Sequence, residues 1–101
     1  MLKMKVHEIK SGKILALCDE ELLGNKYKEG ERVLDLDKYG SFYNGESVSE
    51  ESTQIESVAK QASSINAVGK RAVEALKKIG FEVENSKKVE GIPHLQIFVI
   101  D

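Results

Sequence analysis

A chain of 101 residues, 41% hydrophobic and 32% charged, has the make-up of a soluble globular protein and the length of one core, so residues 1–101 read as a single domain. A net charge of −2 is too small to dictate a partner, and no window is apolar for long enough to cross a bilayer. The lone cysteine, Cys18, excludes an internal disulfide and fits a reducing cytoplasm.

Met4 and Val6 alternate with Lys5 and His7, and Ile9 follows. The chain is therefore predicted to open with a strand and not with a signal peptide. Ser11-Gly12 reads as a two-residue hairpin turn. Ile14–Cys18 is apolar on both faces, as a central strand is. Asp19 is placed to cap a short helical turn over Glu20–Leu23, which Gly24 ends. Arg32–Leu36 gives a third strand. Tyr39–Gly45 gathers aromatics around an Asn44-Gly45 hairpin signal, with Glu46–Val48 as a short returning edge strand. Ser49 is the expected cap of a helix whose Ile55, Val58, Ala59 and Ala62 share one face. A turn over Ser63–Gly69 then opens a second helix, burying Val68, Ala72, Leu76 and Ile79 and ending at Gly80. A short strand near Val89, an extended Gly91-Ile92-Pro93 and an apolar internal strand His94–Ile100 complete the chain. The sum is an α+β fold: one compact domain with a mixed, largely antiparallel sheet of five or six strands and two main helices.

Charge is unevenly laid out. Residues 1–18 carry four bases against one acid, residues 19–56 eleven acids against four bases, and residues 57–101 seven bases against five acids. If the two ends meet, one face is basic; otherwise this is a mixed solvated surface.

Ser63–Leu76 carries the strongest chemical hint. The first amides of a helix lack internal acceptors and lie at the positive end of its dipole. A turn holding Ser64, Asn66 and Gly69, followed by Lys70 and Arg71, therefore suits an anion, phosphate being the usual one. Plain capping by Ser64 or Asn66 accounts for the same residues. Ile65–Ala72 resembles the hairpin of helix-hairpin-helix modules, with Ala67 where the module has its first glycine. Tyr27, Tyr39, Phe42 and Tyr43 are candidates for stacking unpaired bases, or for bracing the sheet. His94 at a strand entrance, with Gln96 on its face, is an additional candidate site; His7, Cys18 and Asp19 join it only if their strands adjoin. Two histidines and one cysteine fall short of the four ligands of structural zinc, so neither a metal nor a cofactor is expected. No P-loop, dinucleotide fingerprint, nucleophile elbow or metalloprotease helix occurs.

Ala16–Gly24, Phe42–Glu46, Asn66–Gly69 with Arg71–Val73, and Gly91–Gln96 together resemble a small archaeal family described as a domain of unknown function. The resemblance implies a stand-alone cytosolic archaeal protein of about this size, with no assigned reaction and an association with translation and RNA. The expected function is a non-enzymatic RNA-binding or translation-associated module, using the helix start at Ser64, Asn66, Gly69, Lys70 and Arg71 on tRNA or rRNA phosphate, or meeting a translation protein. The alternatives are a protein-interaction module or small homo-oligomer using the Glu46–Val48 edge and the acidic middle, and an enzyme using His94.

Overall fold

Strict alternation makes the opening strand, β1 (Leu2–Ile9), two-faced. Leu2 and Met4 are buried, while Lys3, Lys5 and His7 take the other side. The chain turns through Lys10-Ser11, one residue before the expected turn, into β2 (Gly12–Asp19), whose Leu15–Asp19 are all buried. The structure, a computed structural model, describes residues 1–99; Ile100, assigned to the last strand by its sequence, lies outside the described residues.

A two-stranded ribbon follows, β3 (Lys26–Glu29) paired with β4 (Arg32–Asp35). Arg32–Leu36, expected as the third strand, is extended over Arg32–Asp35 but is the fourth in the chain and lies outside the six-stranded sheet, because Lys26–Glu29, where charge interrupts any strand signal, pairs with it. The expected hairpin at Asn44-Gly45 is likewise replaced. Gly40–Phe42 forms a 3-10 turn, and β5 (Glu46–Val48) pairs with β1 instead of with a preceding neighbour. Gly45 serves a close approach, since a side chain there would strike the Met4 carbonyl.

Helix α1 (Thr53–Gln61) is capped by Ser52, whose hydroxyl accepts from the Gln54 amide, and not by Ser49. It buries Ile55 and Ala59. Residues 64–68, expected to be a turn, form the strand β6 (Ser64–Val68). Helix α2 (Lys70–Lys78) then buries Ala72, Val73, Ala75 and Leu76. The chain closes with β7 (Lys87–Val89) and β8 (Ile92–Phe98).

The six-stranded sheet has the order β5-β1-β2-β6-β8-β7, and only β2–β6 is parallel. The predicted α+β class, mixed sheet and two helices are all present. Both helices pack on one sheet face, over Leu2, Leu15, Leu17, Ile65 and Leu95. Each of these side chains contributes about 1.5–3 kcal/mol by leaving water. On the opposite face a second cluster unites Ala16, Cys18, Val68 and Val89 with Leu34 and Leu36 of the ribbon segment and with Tyr43. That second layer covers only part of its face.

Candidate nucleic-acid interface

The predicted anion site at the start of α2 is already filled. Asp19 ends β2 on the helix side, and the parallel neighbour β6 ends level with it and leads through Gly69 into α2. The Asp19 carboxylate, 5% exposed, accepts hydrogen bonds from the Arg71 amide (3.2 Å) and the Ala72 amide (2.8 Å). Asp19 was expected to cap a short helical turn over Glu20–Leu23; the turn is a 3-10 helix at Glu20–Leu22, where Asp19 makes no side-chain bond, and it caps the distant helix instead. A carboxylate at the positive end of α2 meets the demand that phosphate was expected to meet.

The cations at this helix start divide. Arg71 lies among three acids, pairing with Glu21 and approaching Asp19 (3.8 Å) and Glu50 (3.6 Å). Lys70 is exposed and forms no ion pair among the described residues. Gly69 stands where the backbone adopts φ 107°, and any side chain there would overlap the Asp19 carboxylate. The likeness to a helix-hairpin-helix turn ends here, because Ser64–Val68 is extended.

Ser64 and Asn66 go elsewhere. Successive strand residues alternate between faces and directly paired ones share a face, so the registers place His7, Ile14, Ser64 and Phe98 in one row across the sheet. Lys5, Ala16, Asn66 and Gln96 form the next row, and Lys3, Cys18, Val68, His94 and Lys87 the third. All three rows lie opposite the helices. Asn66, expected at the helix start, and Gln96, expected beside His94, thus become neighbours: Gln96 Nε2 donates to Asn66 Oδ1 at 3.2 Å.

The ribbon covers the Cys18–Val68 end of this face and the 3-10 turn lies over His7 and Lys5 on its β1 side, which leaves the part around Asn66, Gln96 and Phe98 open. Phe98 stands 74% exposed there. Across all six strands this face carries Lys3, Lys5, Lys87, His7 and His94 and not one carboxylate. Asp19, Glu8 and Glu46 all alternate to the helix side. Lys5 donates to the Ser41 carbonyl and Lys3 to the Ser47 hydroxyl, so Lys87 is the strand lysine of this face with no protein partner among the described residues.

The aromatics first assigned to base stacking are mostly engaged. Tyr43 is buried, Phe42 stacks on His7 with ring centres 4.4 Å apart, and Tyr27 packs against the second cluster. Tyr39 is exposed beneath Lys38. Phe98 carries no separate signal while His94–Ile100 is read as apolar throughout; the alternation of His94, Gln96 and Phe98 against Leu95 and Ile97 is what marks it as outward-facing.

The residues grouped for acid–base work do not converge. His7 lies on β1 and His94 three strands away on β8, while Asp19 faces the opposite side of the sheet. His94 is held below the usual histidine range by burial and then by the nearby Lys87 charge, and its buried Nε2 has no hydrogen-bond partner. Burial first, and the Asp19 carboxylate second, push the Cys18 thiol from 9.0 up to about 12. Alkylation at pH 8 is therefore expected to spare Cys18 in the native protein and modify it fully in urea, as mass spectrometry would show. The fold also prefers this thiol protonated. That contribution is complete below the unfolded value near 9 and is lost as pH climbs toward 12.

No helix is long and apolar enough to cross a membrane, and no group of three or more His, Cys, Asp or Glu able to hold a metal occurs among the described residues. The fold is similar to a crystal structure of an uncharacterized conserved protein from Methanopyrus kandleri, with 27% identity and a TM-score of 0.83 over 98% of this chain and 91% of that one. No curated protein matches the sequence. The family model for proteins of unknown function DUF424 matches residues 7–100, nearly the whole chain and all four segments on which the resemblance rested; the chain belongs to that family.

Proposed function

We propose that this protein is a non-enzymatic module that binds single-stranded RNA on the open part of its sheet face. One observation carries the proposal: Phe98 is 74% exposed on a strand face free of carboxylates, beside the bonded Asn66–Gln96 pair. An aromatic ring costs free energy when left in water, and the strand residues of this face bring no carboxylate to repel phosphate, the nearest acid being Glu82 of the loop beside Gln96 and Phe98. Single strands are held by bases stacked on aromatic rings, by hydrogen bonds to their unpaired edges and by cations on the backbone. Phe98, the two amides and Lys87 supply one group of each kind. The start of α2 takes no part, since Asp19 holds its amides. A cytoplasmic site of action, as first expected, suits such a ligand.

The test is fluorescence anisotropy with a labelled eight-nucleotide RNA of mixed sequence at low salt. Phe98→Ala, a surface change, is expected to weaken binding roughly 5- to 150-fold, the loss of one stacked base. Binding by the unaltered protein should weaken as salt rises, with a log–log slope of about −0.7 for each phosphate contacted. No binding at low salt, or equal binding by Phe98→Ala, would overturn the proposal.

A further inference from the structure

The β3–β4 ribbon lies on the six-stranded sheet without joining it. No ladder links the two, and among the described residues the ribbon's polar ties to the larger sheet are three hydrogen bonds, all at the exposed β7–β8 turn. The Lys28 amide donates to the Glu90 carboxylate (2.9 Å), the Glu90 amide to the Glu29 carboxylate (2.8 Å), and Arg32 to the Lys88 carbonyl (3.2 Å). Glu90 holds a left-handed φ of 52°, which a non-glycine residue adopts only at a cost, so the fastening works against the backbone. Going beyond the RNA-binding reading and independent of it, we infer that the ribbon is an acid-released cover over the Cys18–Val68 end of the open face, with His94 as its proton sensor.

His94 stands at the margin of that cover. Its neighbours on this face are Val68 of β6, Lys87 of β7, and Ile92 and Gln96 of its own strand. Val68 and Ile92 pack with Tyr27, Leu34 and Leu36 in the second cluster. On its other side the ring lines a recess of about 160 Å³ with Asn85, Lys87, Gln96 and Phe98. Its Nε2 is buried and has no hydrogen-bond partner.

No acid near the ring is placed to welcome a charge on it. The sheet-facing side of the ribbon, which Tyr27 and Leu34 define, also carries Glu29 and Arg32, and both are engaged at the β7–β8 turn. The loop before β7 brings uncharged Asn85 to the recess, with Glu82 outside it beside Gln96 and Phe98. Cys18 and Lys3 stand further along the row, with Tyr43 packed at that end. Protonation therefore puts an N–H on the sealed Nε2 with no acceptor, and a second positive charge beside Lys87. Water answers both demands once the ribbon lifts. Burial first, and Lys87 second, favour the neutral ring while the cover is shut. That preference is complete above the free value of 6.5 and is lost as pH falls below it.

Cys18, fully buried under the second cluster, reports the opening. The test follows its reaction with a pyridyl disulfide between pH 7 and pH 5, each rate divided by that of free cysteine at the same pH, beside amide exchange read by mass spectrometry. The normalised rate is expected to rise roughly 5- to 25-fold from pH 7 to pH 5, the span that one proton with a free value near 6.5 allows, and the rise should begin above the carboxylate range. Exchange should quicken over residues 26–35 while α1 and α2 stay protected. His94→Gln should flatten the response to pH, and Glu90→Ala, on the surface, should raise the rate at both ends of the range. The onset and the exchange map need no variant, so they decide the matter even if His94→Gln does not fold. A rate independent of pH, a rise that survives His94→Gln or starts only where carboxylates titrate, an unchanged rate for Glu90→Ala, or exchange quickening equally in both helices would each overturn the inference.

Discussion

Asp19→Ala is expected to lower stability by about 3 kcal/mol, a drop in melting temperature of roughly 10–20 °C for a chain of this size. The carboxylate accepts from the amides of Arg71 and Ala72 at a point nearly closed to water. Without it two helix amides lose their acceptor, and a buried donor left unpaired costs about 1–3 kcal/mol. The negative charge at the positive end of α2 goes as well, worth up to about 1–2 kcal/mol when partly buried. Arg71 adds little to the loss, because it is 41% exposed and keeps Glu21 and Glu50. Asp19→Asn retains one acceptor oxygen and should recover part of the deficit. Thermal and urea unfolding followed by circular dichroism measure both; an unchanged midpoint for Asp19→Ala would show that the helix start does not depend on this side chain.

Gly69→Ala is expected to cost more, about 4 kcal/mol, from two sources. At φ 107° and ψ 155° the backbone occupies a region that non-glycine residues reach only at about 1–3 kcal/mol. The added methyl also overlaps the Asp19 carboxylate, so the cap must move and its bonds to α2 weaken. In a protein whose whole stability is about 5–15 kcal/mol, that is a large fraction. The two sources separate in a double-mutant cycle. With Asp19→Ala already present, the overlap is relieved and only the backbone strain persists, so the double variant should fall short of the sum of the singles by more than about 1 kcal/mol. Additive losses in a urea series would mean that the methyl and the carboxylate never compete.

Much of the architecture was legible because local patterns and tertiary demands agree. β1 alternates cleanly, β2 is apolar on both sides, and the spacing of Ile55 and Ala59 fits a helix with one buried stripe. The misreadings arose where a residue's partner is remote in sequence. Asp19 sits directly before a helical turn, where an acid is normally a local cap, and only the tertiary structure shows it bonded fifty-odd residues away. Ser64-Ile65-Asn66-Ala67-Val68 reads as a polar turn when taken alone, yet its alternation suits a strand with one buried face. Asn44-Gly45 carries a strong hairpin signature, but β5 finds a better partner in β1. The open face could not be read at all without strand order, since Asn66, Gln96 and Phe98 become neighbours only through the β6–β8 pairing.

The parallel seam between β2 and β6 has a kinetic consequence. Its partners, such as Ile14 and Ser64, are fifty residues apart, whereas β1–β2 closes through a tight turn and the β6–α2–β8 unit is assembled from one continuous stretch. Folding must therefore bring two locally made pieces together across a long excursion, and the entropy of closing that loop falls due before the seam returns any contact. The bond from Asp19 to α2 spans the same joint. It can therefore form only once the two pieces have met.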